Sequence, residues 1–369
     1  MSLPAISSRI LVVQSSRLGD LVLATPVFAA LKQRWPAARL TVMVGAGMAP
    51  VLQHQTTVDQ VLVDDKHGKH FGPRGVLKLV LELRRERFDV ALSLHRGLRT
   101  AMLLALAEIP LRVGFRQSQL KFLYHRHVQR DAARHDVERQ LSILDALGVR
   151  YDRAASLPRL DIGAPVRAAV DELLARAGLT AEESFVVLAP GASWRSKRWL
   201  PERWAQVAAE LLAEGNAVVF VGGAEEESAV AEIQRQAGGG INLAGQTDVA
   251  ELAAVIARAA AIVCCDSAAM HMAQAVNVPL VAVVGPTCDE QGFMPRTRNS
   301  RVLRDETLTC RPVCRFGGME CPLGTRACMH SITTEHVLAA LADIRSRSSF
   351  DPEEPAGPMA AASGSAAAR

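Results

Sequence analysis

Residues Arg9 to Pro26 read RILVVQSSRLGDLVLATP. Ile10 to Val13 are an apolar run of strand length, Ser15 to Gly19 punctuate it, and a helical period begins at Leu21. The stretch therefore predicts a buried strand, a turn and a helix. Its one acid, Asp20, falls where the helix should start. Two compatible roles are open to that carboxylate: capping orphan N–H groups, or taking a proton from a ligand held beyond the carboxyl end of the strand. The helix N-terminus is expected to favour its ionised form.

The same grammar continues outward. RLTVMV, QVLVDD, FDVALSL and LRVGF alternate with helical segments at Leu21 to Arg34, Val76 to Arg87 and Leu98 to Ala107. After Arg150 to Pro165, which is short of apolar periodicity and holds two prolines, the alternation restarts with FVVLAPG, NAVVFVGG, INLAG, AAIVCCD and PLVAVVG. Such alternation is the signature of parallel sheets wrapped by helices. The predicted class is α/β, with two Rossmann-like, doubly wound domains facing each other across a cleft. The first covers residues 1–160 and the second 161–345. Residues 346–369, rich in Pro, Gly, Ser and Ala, are expected to form a disordered tail.

With 49% apolar and 22% charged residues, the 369-residue chain has globular composition. No run approaches the roughly 20 apolar residues of a membrane span, and MSLPAISS lacks the basic start of a signal peptide, so a cytoplasmic protein is expected. Seven cysteines, an odd number, argue for reduced thiols rather than a disulfide framework. Charge is uneven. Residues 1–160 hold 24 Lys+Arg against 13 Asp+Glu, a net +11, and the remainder is at −7. The first half should meet something anionic, phosphates or a membrane surface. Nucleic acid is set aside, since aromatic residues are 4% of the chain and no base-reading module is present.

A dinucleotide fold would need GxGxxG after the first strand and an acid about 20 residues on; SSRLGD offers Gly19 alone. Other stretches carry more chemistry. In PGASWRSKRW, Ser193, Arg195, Lys197 and Arg198 supply donors suited to phosphate oxygens. In CCDSAAMHMAQA, Asp266 and Ser267 end a strand and open a helix, and His271 follows one turn later. VGGAEEE places Glu225 to Glu227 in a first helical turn, where acids stabilise the helix and one can reach a ribose. In SLHRGLRTA, His95, Arg96 and Arg99 join Arg17, Arg112 and Arg116 as candidate anion contacts. Cys310, Cys314, Cys321 and Cys328 lack the tight knuckle of a zinc site, and no metal is expected.

Taken together and in order, RILVVQSSRLGDLVLATPVFAAL, PGASWRSKRW, FVGGAEEE, NLAGQTDVAELAAVI and CCDSAAMHMAQAVNVPLVAVVGPT resemble glycosyltransferase family 9, the lipopolysaccharide heptosyltransferases, closest to heptosyltransferase II-like members. The resemblance runs from about Ile10 to Leu341. It implies a GT-B fold in which the first domain holds the acceptor and the second holds ADP-heptose, with no cofactor required. Heptose would pass, with inversion, to the lipid A–Kdo or heptosyl-Kdo core at the cytoplasmic face of the inner membrane, a peripheral location that the basic half fits. The family's catalytic aspartate falls on Asp20 and its diphosphate-contacting lysine on Lys197. Its hydroxyl contact falls on Ser193, its ribose-contacting acid on Glu226, and its nucleotide motif on Asp266, Ser267, Ala268 and His271, with Ala268 standing where the family usually has Gly. Arg17, His95, Arg96 and Arg99 are the acceptor-side candidates. Two other readings fit the same residues: another nucleotide-sugar transferase or an epimerase of the same fold, and a non-catalytic protein that binds envelope lipid.

Overall fold

The computed structural model describes residues 9–152, 156–310, 314 and 317–347. The tail expected at 346–369 lies, but for its first two residues, outside them.

Ten of the apolar runs quoted above become strands. β1 (Arg9–Val13), β2 (Arg39–Gly45), β3 (Gln60–Asp64), β4 (Val90–Ser93), β5 (Leu111–Phe115) and β6 (Arg126–Val128) form one six-stranded sheet in the order β3-β2-β1-β4-β5-β6. β7 (Phe185–Ala189), β8 (Ala217–Phe220), β9 (Ile241–Asn242), β10 (Ala261–Cys265), β11 (Leu280–Val283) and β12 (Ser300–Leu303) form a second, ordered β12-β11-β10-β7-β8-β9. Every pairing is parallel. The two sheets thus repeat one topology, and each reverses strand order beside its first strand, between β1 and β4 and between β7 and β10. Ligands of open α/β sheets bind at such reversals, beyond the strands' carboxyl ends.

The edge strands β6 (RHV) and β12 (SRVL) carry too few apolar residues to show a pattern in the sequence, and the helix Ala164–Arg176, beside the expected boundary, is a further element the pattern does not predict. The single helix expected from Leu21 to Arg34 is two, α1 (Leu18–Val22) and α2 (Thr25–Arg34). Pro26 has no N–H to give Val22 and would clash with that carbonyl; the Thr25 hydroxyl donates to it instead, at 2.8 Å.

The two halves are packed together. One continuous apolar core runs from Ile10, Phe28 and Val42 to Val187, Met270 and Val284. α1 lies against α10 (Ala268–Ala275), and the 3-10 turn Ala46–Leu52 against α9 (Val249–Arg258). Gly19 sets the closeness of the first contact: a Cβ there would stand 2.8 Å from Cδ2 of His271, a buried ring.

Candidate active site

The two topological reversals face each other across a cleft of about 500 Å³. From the first sheet, the segment after β1 brings Gln14, Ser16, Arg17 and Asp20, and the segment after β4 brings His95 and Arg96. From the second, the segment after β7 brings Ser193 and Lys197, and the segment after β10 brings Asp266, Ser267, Ala268 and His271. Residues 246 positions apart in sequence, Asp20 and Asp266, thereby line one space.

Asp20 is not a cap. The N-cap position of α1 is Arg17, no side chain caps it, and Asp20 sits in the first turn with its Oδ2 2.7 Å from Ser16 Oγ. The spacing of four residues puts these two groups on one face. Nor does the helix start bring its pKa below the usual value. Burial, then the neighbouring Asp136, push its pKa above the usual carboxylate value, against the hydrogen bond from Ser16 and the opposing charges of Arg130 and Arg17. A five-residue helix offers little dipole to offset that desolvation.

The hydrogen bonds around Asp20 have a direction. α5 (Asp136–Leu141) presents Asp136 and Gln140 one turn apart, and Gln140 Nε2 donates to Asp136 Oδ2 at 2.8 Å and to the Asp20 carbonyl at 3.0 Å. Both of its amide protons go to acceptors, which fixes the amide's orientation. Gln140 Oε1 then accepts from Gln14 Nε2 at 3.0 Å, and Gln14 Oε1 faces Ser16 Oγ at 2.7 Å. A hydroxyl has one proton. Given to Asp20 it would favour the anion; committed to Gln14, it leaves Ser16 an acceptor, and the short contact to Asp20 is satisfied when Asp20 carries a proton. Ser16 is thus shared between two acceptors, and its donation to Asp20 lowers that carboxyl's pKa against the effects of burial and Asp136.

On the opposite wall Lys197 Nζ lies 2.6 Å from Asp266 Oδ2, and the Thr287 hydroxyl donates to the same carboxylate oxygen. Asp266 closes β10, and Ser267 is the N-cap of α10 with no side-chain cap, so the first N–H groups of that helix open on the cleft. His271 is buried and its Nδ1 has no hydrogen-bond partner; desolvation lowers its pKa and keeps it neutral. Ala268 lines the wall, adding a methyl where glycine would leave backbone bare. Glu226 is not in the cleft wall. It lies against the PGAS loop, where Gly191 has no Cβ to collide with its carboxylate, accepts from Gly223 N at 3.0 Å, and is 3.7 Å from Arg198.

The acceptor-side candidates separate. Arg17 reaches across the cleft and stacks on Trp194 of the second domain, 4.9 Å from the ring centroid. His95 and Arg96 line the cleft; burial lowers the His95 pKa, so it is a neutral group beside a cation. Arg99 is drawn away by a bidentate pairing with Asp64 (2.8 and 2.7 Å) and by the His70 carbonyl. Arg112 is likewise occupied, by the carbonyls of Leu123 and Ile109. Sequence reasoning missed Arg130, Asp136, Arg139 and Gln140, which line the same cleft. The Asp136/Gln140 spacing was the only available signal, and it is meaningless without Asp20 beside it.

Among the described residues, no group of three or more His, Cys, Asp or Glu side chains is arranged to hold a metal ion. Cys310, Cys314, Cys321 and Cys328 come within electrostatic reach of one another as free thiols, and burial pushes Cys328 up to about 11.

Two Rossmann-like domains whose switch points share a cleft, an acid on one wall and a lysine with a free helix N-terminus on the other, define a glycosyltransferase of the GT-B class. The match of residues 76–319 to the model of glycosyltransferase family 9 (heptosyltransferase) shows which one: the chain belongs to that family. It is 31% identical to lipopolysaccharide heptosyltransferase 2 of Salmonella typhimurium over 80% of its own length and 88% of the relative's. The structure of Escherichia coli ADP-heptose lps heptosyltransferase II superposes with a TM-score of 0.77 at 27% identity, over 93% of this chain and 100% of that one. The family 9 glycosyltransferase of Veillonella parvula gives 0.84 at 24% identity, over 94% and 100%, a likeness of fold. Membership decides for a transferase over the epimerase and the non-catalytic readings.

Proposed function

We propose that this chain transfers heptose from ADP-heptose, with inversion, to the inner core of lipopolysaccharide, on a lipid A–Kdo or heptosyl-Kdo acceptor. The names of its relatives supply the substrates. The observation that carries the mechanism is that Asp20 and Lys197, from different domains, line one cleft. Residues 1–160 act as the acceptor domain and 161–345 as the donor domain.

In this reading Asp20 takes the proton of the acceptor hydroxyl as its oxygen bonds to the anomeric carbon. The bond from that carbon to the diphosphate breaks, and its electron pair leaves with ADP. Lys197 and the N–H groups opening α10 stabilise the charge that develops there. Ser193, Asp266, Ser267, Ala268 and His271 hold the donor, with Glu226 toward the ribose. Arg17, His95 and Arg96 meet the anionic acceptor, and Arg99 ties the helix that follows Arg96 (Leu98–Leu106) to Asp64 rather than touching the acceptor. The enzyme works at the cytoplasmic face of the inner membrane as a peripheral protein; no helix among the described residues is long and apolar enough to cross a bilayer.

The test is ADP release and product mass with ADP-heptose and a panel of truncated core lipids. Asp20→Ala should keep ADP-heptose affinity while turnover falls by roughly 10²–10⁴, the range for loss of a general base. Turnover within about threefold of the native protein would remove Asp20 from the chemistry.

A further inference from the structure

Nine large apolar side chains are exposed among the described residues, and seven of them lie on one face of the first domain: Phe71, Leu77, Leu81, Leu98, Met102, Leu106 and Phe122, at 39 to 75% exposure. The concentration follows from two amphipathic helices that each carry a second apolar stripe. α3 (Gly72–Glu86) buries Gly75, Leu79, Val80 and Leu83 on the sheet and turns Leu77 and Leu81 outward. α4 (Leu98–Leu106) buries Ala101, Leu103 and Leu104 and turns out Leu98, Met102 and Leu106, three residues spaced by four along one line.

The two stripes are neighbours. Arg99 at the start of α4 holds Asp64 and the His70 carbonyl just ahead of α3, and Arg84 at the end of α3 holds the Leu106 carbonyl and Glu108 at the end of α4. Leu98 N donates to Gln119 Oε1, which fixes the turn carrying Lys121 and Phe122 beside α4. Exposed cations, Arg74, Lys78, Arg85 and Lys121, are interspersed with the apolar residues. The face begins at the cleft: Leu98 is two residues after Arg96, which lines it.

An apolar stripe on a monomeric surface marks an interaction site, and its mixture with Lys and Arg specifies the partner. We propose that the outer face of α3 and α4, with Phe122, seats the enzyme on an anionic lipid bilayer. Leucine, methionine and phenylalanine enter the headgroup boundary while the cations pair with lipid phosphates. A second copy of the chain, carrying the same cations on its own face, would be repelled. The proposal deepens the function above by giving the membrane contact a place, one that opens the cleft at the lipid surface where a lipid-borne acceptor sits.

Vesicle co-sedimentation tests it without donor or acceptor, so its outcome is independent of the transferase reading. The full chain should bind vesicles of phosphatidylglycerol and phosphatidylethanolamine, lose most of that binding in high salt, and bind phosphatidylcholine vesicles weakly. The variant Met102→Ser/Leu106→Ser/Phe122→Ser and the variant Arg74→Glu/Lys78→Glu should each weaken binding at least about tenfold, since one interfacial cation alone is worth roughly fivefold. Unchanged circular dichroism and melting in either variant exclude misfolding. Absence of native binding to anionic vesicles, or equal binding by both folded variants, would overturn the proposal. So would a native dimer that the apolar variant dissociates while lipid binding persists.

Discussion

Replacing Ser16 by Ala gives opposite results under two accounts of Asp20. If Ser16 simply donates its proton to the carboxylate across 2.7 Å, the substitution removes a stabiliser of the anion and Asp20 titrates at higher pH. If the chain from Asp136 through Gln140 and Gln14 claims that proton, the substitution removes the acceptor of the protonated carboxyl and Asp20 titrates at lower pH. The Ser16 hydrogen bond lowers the Asp20 pKa, and one hydrogen bond is worth about 0.5–1.5 kcal/mol net, so the ratio of protonated to ionised Asp20 at fixed pH should rise roughly 2- to 13-fold. Gln14→Met, which keeps the volume but lacks the acceptor, leaves Ser16 to donate to Asp20 alone and should lower the midpoint; Ser16→Thr should keep the native one. The assay is the carboxyl 13C resonance of Asp20 against pH, assigned with Asp20→Asn, and the acidic limb of kcat/KM should follow it. A midpoint that falls in Ser16→Ala would show that Gln14 holds the proton and would refute this reasoning. The network matters because a base that is easier to protonate is a stronger base, and burial and Asp136 push Asp20 that way against the Ser16 hydrogen bond.

Lys197→Ala should lower kcat/KM about 10²–10³-fold and weaken ADP affinity, because one charge meets both the bound diphosphate and the leaving group; titration calorimetry showing native ADP affinity would count against its role. His135 donates from Nε2 to the Met294 carbonyl at 2.9 Å while its Nδ1 accepts from Val137 N, a doubly used neutral ring joining the two halves, and burial depresses its pKa to about 4. The unfolded chain then binds the proton first, so stability should be full above about pH 6.5 and decline by at most about 3 kcal/mol as pH falls to 4; chemical denaturation of His135→Asn should show a shallower decline. Gly19→Ala should destabilise the protein by about 1–3 kcal/mol, as overpacking does, since its methyl meets the buried His271 ring between α1 and α10; an unchanged melting temperature would mean that the two helices separate freely.

Much of this was legible in one dimension. Hydrophobic period and turn chemistry are local, so the apolar runs and the turns after them located β1, β4, β7 and β10 and the residues at their ends, and parallel α/β topology places such ends where ligands bind. Asp20, Ser193, Lys197, Asp266 and His271 could be singled out that way. What local pattern cannot hold is a relation between segments more than a hundred residues apart. How readily the Asp20 carboxylate takes a proton depends on Asp136 arriving beside it. Arg96 and Arg99 look alike in sequence, yet only Arg96 faces the cleft, because Asp64 captures the other. The residues fixed the chemistry available at each strand end by their covalent identity. The packing of α1 on α10 decided which of those groups share a solvent-poor space, where desolvation and neighbouring charge set their protonation.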